Sequence, residues 1–495
     1  MRVIDNIVSE MLKCLRNRWV GLLLVLAASA VVAILSSPAC RLSSTDEEIF
    51  LLVGKSVAEG GRLYSEVFDH KGPFFLWLYV VGWRLAGTWG YWIIFSCLWT
   101  VASAIYYLGV LRYRGSALFA TACAIAATIF PLVPGYPETF ASAIALLVIG
   151  CMLLTFSGKR MLWVDFLAGL CGAAVFFSKQ TCCGFFLGIG LLFLLTRLYR
   201  DLFCYVAGGI IGLAVGFACM YFSGIFCGYV ECNWLFNAKY AIPFGAWMFR
   251  RTFSFFTMHG PGVVFGIAVA AFAVWSNRTR DRFWTYVLAA GAWIACDWFS
   301  IIRGWSVSDH QVKAFMFSFV CLLPFVLSWT GRVANYWIGM FYAAVVAAPL
   351  VTNVHVARHV DETDAPRRAL ISKLKTLPDA PLVTWDNRCR FQLETGRSCL
   401  LAPYVQVVPL VVRDGIPEKL AERLKEKLRT VPFVLLEGFN PGSKWMRGVP
   451  RYRKDNITDE FYKEIVAVRD SRMVELSSPD PEYRLYVSKE LVAEK

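Results

Sequence analysis

The chain has 495 residues, of which 57% are hydrophobic, 15% aromatic and only 17% charged. Soluble domains run at about 45–50% apolar and about 25% charged, so the composition excludes an ordinary multidomain soluble protein, a disordered chain and a collagen-like one. The 50 Lys and Arg against 36 Asp and Glu leave a net charge of +14, and in so apolar a chain that excess is read first as membrane topology rather than as nucleic-acid binding.

The charge divides the chain near Asn353. Residues 353–495 hold 25 of the basic and 21 of the acidic residues, as an ordinary soluble domain would, while 1–352 carry clustered charges between apolar runs. Those runs are roughly 20 residues long, the length that crosses about 30 Å of hydrocarbon. Eleven spans are predicted, over 19–37, 89–111, 115–133, 140–157, 161–178, 182–196, 202–222, 260–276, 283–302, 314–330 and 335–352. Pro73–Ala86 is too short to cross, carries Arg84 and lies between Gly72 and Gly87. It is read as an interfacial or re-entrant segment. The expected fold class is therefore a polytopic α-helical membrane protein of about eleven helices (1–352) with a C-terminal α/β domain (353–495) outside the cytoplasm.

Basic loops set the orientation. Arg2, Lys13, Arg16 and Arg18 precede the first span, and alternate breaks hold Arg112/Arg114, Lys159/Arg160, Arg197/Arg200, Arg278/Arg280/Arg282 and Arg332. Short loops rich in Lys and Arg stay inside, so the N-terminus is expected in the cytoplasm and the C-terminal domain outside. Ser36-Ser37-Pro38 makes a poor cleavage site, and the first span is read as a retained signal anchor.

The outer segments hold the candidate chemistry. The first, 38–88, contains Thr45-Asp46-Glu47-Glu48, Gly60-Gly61-Arg62-Leu63-Tyr64 and Asp69-His70-Lys71-Gly72-Pro73. Connections between helices need only about 2–8 residues; this one is either a solvated cap or a surface carboxylate facing a phosphate-neutralising cation. The second outer loop offers Tyr136 and Glu138, the latter also explicable as an acid at a helix N-terminus. The third offers Lys179, a cation against the expected charge bias, read as anion binding or as a snorkelling side chain. The fourth, about 223–259, holds Glu231, Asn233, Asn237 and Lys239, read mostly as anchoring, and Arg250/Arg251, placed toward headgroups on an interfacial helix. The fifth holds Arg303, Asp309, His310 and Lys313, with Asp297 inside the preceding span as a partner for Arg303. No internal repeat and no interrupted helix pair is evident, which speaks against a transporter with its site at the midplane.

An acidic pair after the first span, Gly60-Gly61-x-x-Tyr64, and a Lys71-x-Pro73 step into an apolar segment resemble the bacterial C-type (GT-C) membrane glycosyltransferases. Within them the chain is similar to glycosyltransferase family 39, which includes protein O-mannosyltransferases and the lipid A aminoarabinose transferase. The Gly135–Glu138 loop and the Asp309–His310 loop fit the same pattern. The resemblance covers 1–352 well and the tail loosely. It implies transfer of a sugar from a polyprenyl-phosphate-linked donor to a cell-envelope acceptor at the outer face of the bacterial inner membrane. It assigns Asp46 and Glu47 as catalytic carboxylates. Lys71, His310, Lys313, Arg303 and Lys179 become candidates for the donor phosphate, and Asp69, His70, Tyr64, Glu138 and Tyr136 candidates for substrate binding. Several relatives have Lys-Pro-Pro where this chain has Lys71-Gly72-Pro73, and Glu48 adjoins the acidic pair, so the base stays open among Asp46, Glu47 and Glu48. A divalent cation is possible, but the scattered acids and single histidines form no readable metal site. A flippase for lipid-linked glycans or a non-catalytic assembly protein would share the composition without needing the acidic cluster. No nucleic-acid partner is expected.

In the tail, strands are predicted at Pro381–Trp385, Pro432–Leu436 and Glu482–Lys489, and an amphipathic helix at Ile416–Thr430. Most of the 16 cysteines sit in spans. Cys389 and Cys399 fall in the outer domain, where an oxidising compartment would allow them to pair.

Overall fold

A computed structural model describes residues 17–38, 45–129, 135–156, 161–240, 291–292, 295–296, 365–385, 390–398, 400, 418–438, 460–481 and 483–493. The late spans expected between 260 and 352, the interfacial helix with Arg250/Arg251, and Asp297, Arg303, Asp309, His310, Lys313, Cys389 and Cys399 lie outside the described residues.

The first span forms α1 (Arg18–Leu35). The segment expected as a long loop contains two helices, α2 (Thr45–Ala58) and α3 (Pro73–Ala86). Then come α4 (Gly90–Arg114), α5 (Ala117–Ile129), α6 (Pro137–Phe156), α7 (Leu162–Phe176), α8 (Gly184–Leu195) and α9 (Tyr199–Phe222). Each matches an expected span to within a few residues. Among the described residues, α1, α4, α6 and α9 are long and apolar enough to cross a membrane, while α5, α7 and α8 are shorter apolar helices. Apolar surface is open on α9, where Phe203, Ile210, Tyr221 and Phe222 are all exposed.

Cross-contacts give the direction of each helix. The Trp92 indole donates to the Ala33 carbonyl at 2.8 Å, and the Tyr107 hydroxyl to the Arg18 carbonyl at 2.6 Å, so α1 and α4 are antiparallel. Gly109 packs on Gly150, which makes α4 and α6 parallel. Gly208, Gly212 and Gly216 of α9 lie against Phe166, Ala173 and Phe177, so α9 runs parallel to α7. A Cβ at Gly208 would come within 2.0 Å of the Phe166 carbonyl oxygen. Small residues every fourth position let two backbones approach where lipid offers no hydrophobic drive.

α3 does not continue into α4. Gly87, at φ 56, ends it, and a short 3₁₀ turn reverses the chain. Gly82 then packs against Gly90 and Tyr91, and Tyr79 stacks on Tyr91 with centroids 3.8 Å apart and planes 7° from parallel. The apolar Pro73–Ala86 segment is therefore a fold-back arm lying on the first turns of α4, as its length suggested. Phe50 of α2 meets Phe75 edge-on at 5.0 Å and locks α2 to the arm; such aromatic pairs add about 0.5–1.5 kcal/mol each beyond burial.

After α9 the chain makes two short α-helical pieces, Phe226–Tyr229 and Phe236–Tyr240, flanking a π-helical stretch, Val230–Leu235. The tail contributes α10 (Ala365–Thr376), β1 (Leu382–Trp385), α11 (Arg390–Thr395), α12 (Glu418–Thr430), β2 (Val434–Gly438), α13 (Glu460–Arg472), β3 (Met473–Leu476), β4 (Tyr483–Ser488) and α14 (Lys489–Ala493). The sheet order is β1-β2-β4-β3, with β1 parallel to β2 and the other pairs antiparallel. Three of its strands and α12 follow the sequence pattern; β3, α10 and α13 carry no clear periodicity and were not anticipated. Arg397 is buried, and its guanidinium donates to the carbonyls of Leu374, Leu377, Pro378 and Ala380 at 2.7–2.9 Å. It thereby satisfies the orphan acceptors at the end of α10.

Candidate active site

The end of the bundle where α2, α3 and α6 begin and α7 and α9 end gathers the polar residues that the sequence singled out. The backbone builds the frame first. Gly72 donates its N–H to the Ser178 carbonyl at 3.0 Å and Phe74 its N–H to the Phe177 carbonyl at 3.0 Å. These bonds zip the 69–74 strand of chain onto the end of α7. A Cβ on Gly72 would lie 2.0 Å from the Phe177 oxygen, which explains glycine between Lys71 and Pro73. Pro73 then starts α3, where its missing N–H costs nothing.

Asp69 is 3% exposed, and its Oδ1 accepts the Lys71 amide at 2.7 Å. Burial raises its pKa to about 6, while Lys71 pulls it back toward the usual range. The Lys71 ammonium lies 2.7 Å from His70 Nε2. Burial, then Lys71 and Lys179, push the imidazole pKa well below normal, so the ring is neutral, Nε2 accepts from the ammonium, and Nδ1 faces Asp69 at 3.9 Å. Lys71 itself is lowered by burial and by Lys179, against the attraction of Asp69, Glu138 and Asp46. Lys179 is ion-paired to Glu138. Burial opposes its charge, yet Glu138 outweighs that and holds its pKa above normal.

Asp46, Glu47 and Glu48 form the first turn of α2, where the helix dipole favours them. Asp46 acts electrostatically on Asp69, Lys71 and Lys179. Glu47 turns instead toward Gly135, which sits at φ 94; a Cβ there would come 2.8 Å from the Glu47 carboxyl carbon. The Tyr79 hydroxyl holds that loop by donating to the Gly135 carbonyl at 3.0 Å. Glu48 is buried. The three adjacent acids thus differ in their surroundings, and Asp46 acts on both Lys71 and Lys179.

Other predicted residues are structural in their visible contacts. Tyr64 is buried, and its hydroxyl donates to the Lys71 carbonyl at 2.7 Å. Tyr136 is buried, and its carbonyl receives the amides of Thr139 and Phe140 at the start of α6. Two residues read from sequence as anchoring do something more specific. Asn233 and Asn237, on the π-helical stretch and the piece after it, both donate to the His70 carbonyl, at 2.8 and 2.9 Å. Asn233 also accepts from Gln180. Their signal was faint: two amides four residues apart among aromatics. π-helical insertions often mark functional sites. Among the described residues, no group of three or more His, Cys, Asp or Glu side chains could hold a metal ion.

The arrangement of helices, with the fold-back arm at one end of the bundle, is one whose fold recurs among solved structures. It is similar to ArnT from Cupriavidus metallidurans in the apo state, with a TM-score of 0.58 and 14% identity over 95% of this chain and 98% of that one. It is similar to the same ArnT bound to undecaprenyl phosphate, with a TM-score of 0.56 and 12% identity over the same shares. The oligosaccharyltransferase of Archaeoglobus fulgidus, in complex with Zn and sulfate, superposes at a TM-score of 0.48 and 12% identity, over 94% of this chain and 73% of that one. No protein-family model and no curated protein matches the sequence.

Proposed function

We propose that the chain is an integral membrane glycosyltransferase. It moves a sugar from a polyprenyl-phosphate-linked donor to a hydroxyl of a cell-envelope acceptor. The observation that carries this reading is the cluster that brings Asp69, His70, Lys71, Lys179 and Glu138 together, with the acidic first turn of α2, Asp46 included, acting on the same two ammonium groups. It stands in a fold whose neighbour ArnT has been crystallised with undecaprenyl phosphate.

In the proposed reaction the acceptor oxygen attacks the anomeric carbon as the bond from that carbon to the phosphate oxygen breaks. The acceptor proton passes to Asp46, with Glu47 as the alternative base. The leaving phosphate gains negative charge, and Lys71, already surrounded by fixed partners, stabilises it without reorganisation. Lys179 reinforces the field from its Glu138 pair. His310, Lys313 and Arg303 remain further candidates for the phosphate, and a divalent cation a possible addition. The orientation, with the cluster outside the cytoplasm, is supported by the basic residues at the opposite end of the bundle: Arg18, Arg112, Arg114, Arg197 and Arg200. The bacterial inner membrane is the matching location.

Purified full-length protein incubated with a polyprenyl-phosphate sugar and a hydroxyl acceptor should release polyprenyl phosphate. Asp46→Asn should lower that turnover by about 10²–10⁴-fold while donor binding persists. Near-normal turnover in Asp46→Asn would remove Asp46 as the base. Donor moved intact across vesicles, with no phosphate released, would instead identify a flippase.

A further inference from the structure

A polar cavity whose lining includes none of the cluster residues lies where the tail meets the membrane part. It has a volume of about 710 Å³ and is lined by Arg62, Glu66, Phe222, Arg423, Glu426 and Lys427, among others. Three separate elements form it: the tight 62–67 loop, the end of α9, and α12. The tail is anchored here, since Val383, Leu400, Leu428 and Phe433 join the apolar core built by the membrane part. The Arg423 guanidinium reaches the Ser65 carbonyl at 3.4 Å across the cavity.

The two walls differ in kind. On one side α9 ends in Phe222, which lines the cavity and is 85% exposed, next to Tyr221, 71% exposed and outside the lining. Aromatics at the last turn of a spanning helix sit at headgroup depth. The rim carries Arg62, Arg423 and Lys427 against Glu66 and Glu426, an excess of one positive charge. Glu66 is further engaged by the Arg62 amide at 2.9 Å. A cavity with Phe222 at its edge, the exposed apolar side of α9 leading away from it and one excess cation at its rim fits a single phosphodiester whose acyl chains run down α9. We infer that this cavity binds the headgroup of an anionic phospholipid and so seats the tail helix α12 on the membrane. This inference does not depend on the transfer reaction.

Full-length protein reconstituted in nanodiscs containing phosphatidylglycerol and phosphatidylcholine, then examined by native mass spectrometry, should retain phosphatidylglycerol. The triple variant R62Q/R423Q/K427Q should lose that retention at least tenfold. A control of equal charge change at tail residues outside the cavity lining, R429Q/R472Q/K489Q, should not. Inorganic phosphate at millimolar concentration should fail to displace the lipid, because it lacks the chains that pack on Phe222; displacement would assign the cavity to a free anion instead. Equal retention in both triple variants would overturn the inference, as would equal retention of phosphatidylcholine. Thermal unfolding of each variant in detergent separates loss of the site from loss of the fold.

Discussion

The α7–α9 seam and the seam between residues 69–74 and the end of α7 solve opposite problems in adjoining places. Between Gly208 and Gly216, beyond the buried Asp165 and Asp201 at its other end, the first has no charge to hold. Its backbones touch through Gly208, Gly212 and Gly216, and Phe177 fills the last gap. The second must keep Asp69, His70, Lys71, Lys179 and Glu138 together out of water. It does so by spending backbone groups: Gly72 and Phe74 bond to Ser178 and Phe177, Tyr64 bonds to Lys71, and Asn233 and Asn237 bond to His70. Close packing suffices where nothing polar is at stake. Where charges gather, His70 and Lys71 are positioned by bonds to their backbone carbonyls, and their side chains stay available to their neighbours.

This contrast predicts unequal damage. The largest effect belongs to the charged seam. Lys179→Met strands Glu138 in a buried site, and breaking one member of a buried pair costs about 3–5 kcal/mol. Thermal unfolding in detergent should show that loss. Lys179→Met with Glu138→Leu should recover most of it without recovering transfer. Recovery of both would make the pair purely structural. At the apolar seam, Gly208→Val should cost less, about 1–3 kcal/mol, because helix axes can shift in lipid. Its transfer per folded molecule should be unchanged. A selective loss of turnover there would break the division between the two seams.

Asp69 offers a test by pH. Its pKa in the folded protein is about 6, above the ordinary value near 3.9 in an unfolded chain. Between those values the folded state binds the extra proton, so stability falls as pH rises from about 4 to about 6 and is flat above. Ionised Asp69 is what partners Lys71, so transfer should rise across the same interval in which stability declines. Asp69→Asn should remove both slopes. A stability curve that climbs through this window in the parent protein would contradict the buried placement of Asp69.

How far these features could be read beforehand follows their physical origin. Span length and hydropathy are local, so the first seven expected spans recur as helices, and Pro73–Ala86 is short enough to betray that it folds back. The acids at 46–48 and the 69–73 run stand out because charges are rare in such a chain. What the pattern could not show is which acid faces which cation. Asp46 and Glu47 are neighbours in sequence but part company in space, because successive helical residues point about 100° apart. The Lys179–Glu138 pair joins residues 41 apart, a contact set by the packing of α6 beside α7 rather than by any local signal. In the tail, β4 was visible from Tyr483, Leu485 and Val487, all now buried. β3, by contrast, is an edge strand with one buried residue, Met473, and shows no alternation to find.

The smallest effect is also the sharpest test of the backbone rule. The His70 carbonyl accepts two amides, one from Asn233 and one from Asn237. Asn237→Ala removes one bond and leaves the other, a cost of about 1 kcal/mol. The loop should stay in place, and transfer should fall no more than about fivefold, chiefly through kcat. Asn233 is 1% exposed and also accepts from Gln180, so Asn233→Ala frees the His70 carbonyl on one side and leaves the Gln180 amide only its longer bond to the Tyr229 hydroxyl, at 3.3 Å. It should cost more than Asn237→Ala in both stability and kcat, and Asn233→Asp, which keeps the acceptor for Gln180 but loses the donor to His70, should fall between them. Equal effects of the two alanine variants would mean that the π-helical stretch packs beside the 69–73 loop without positioning it.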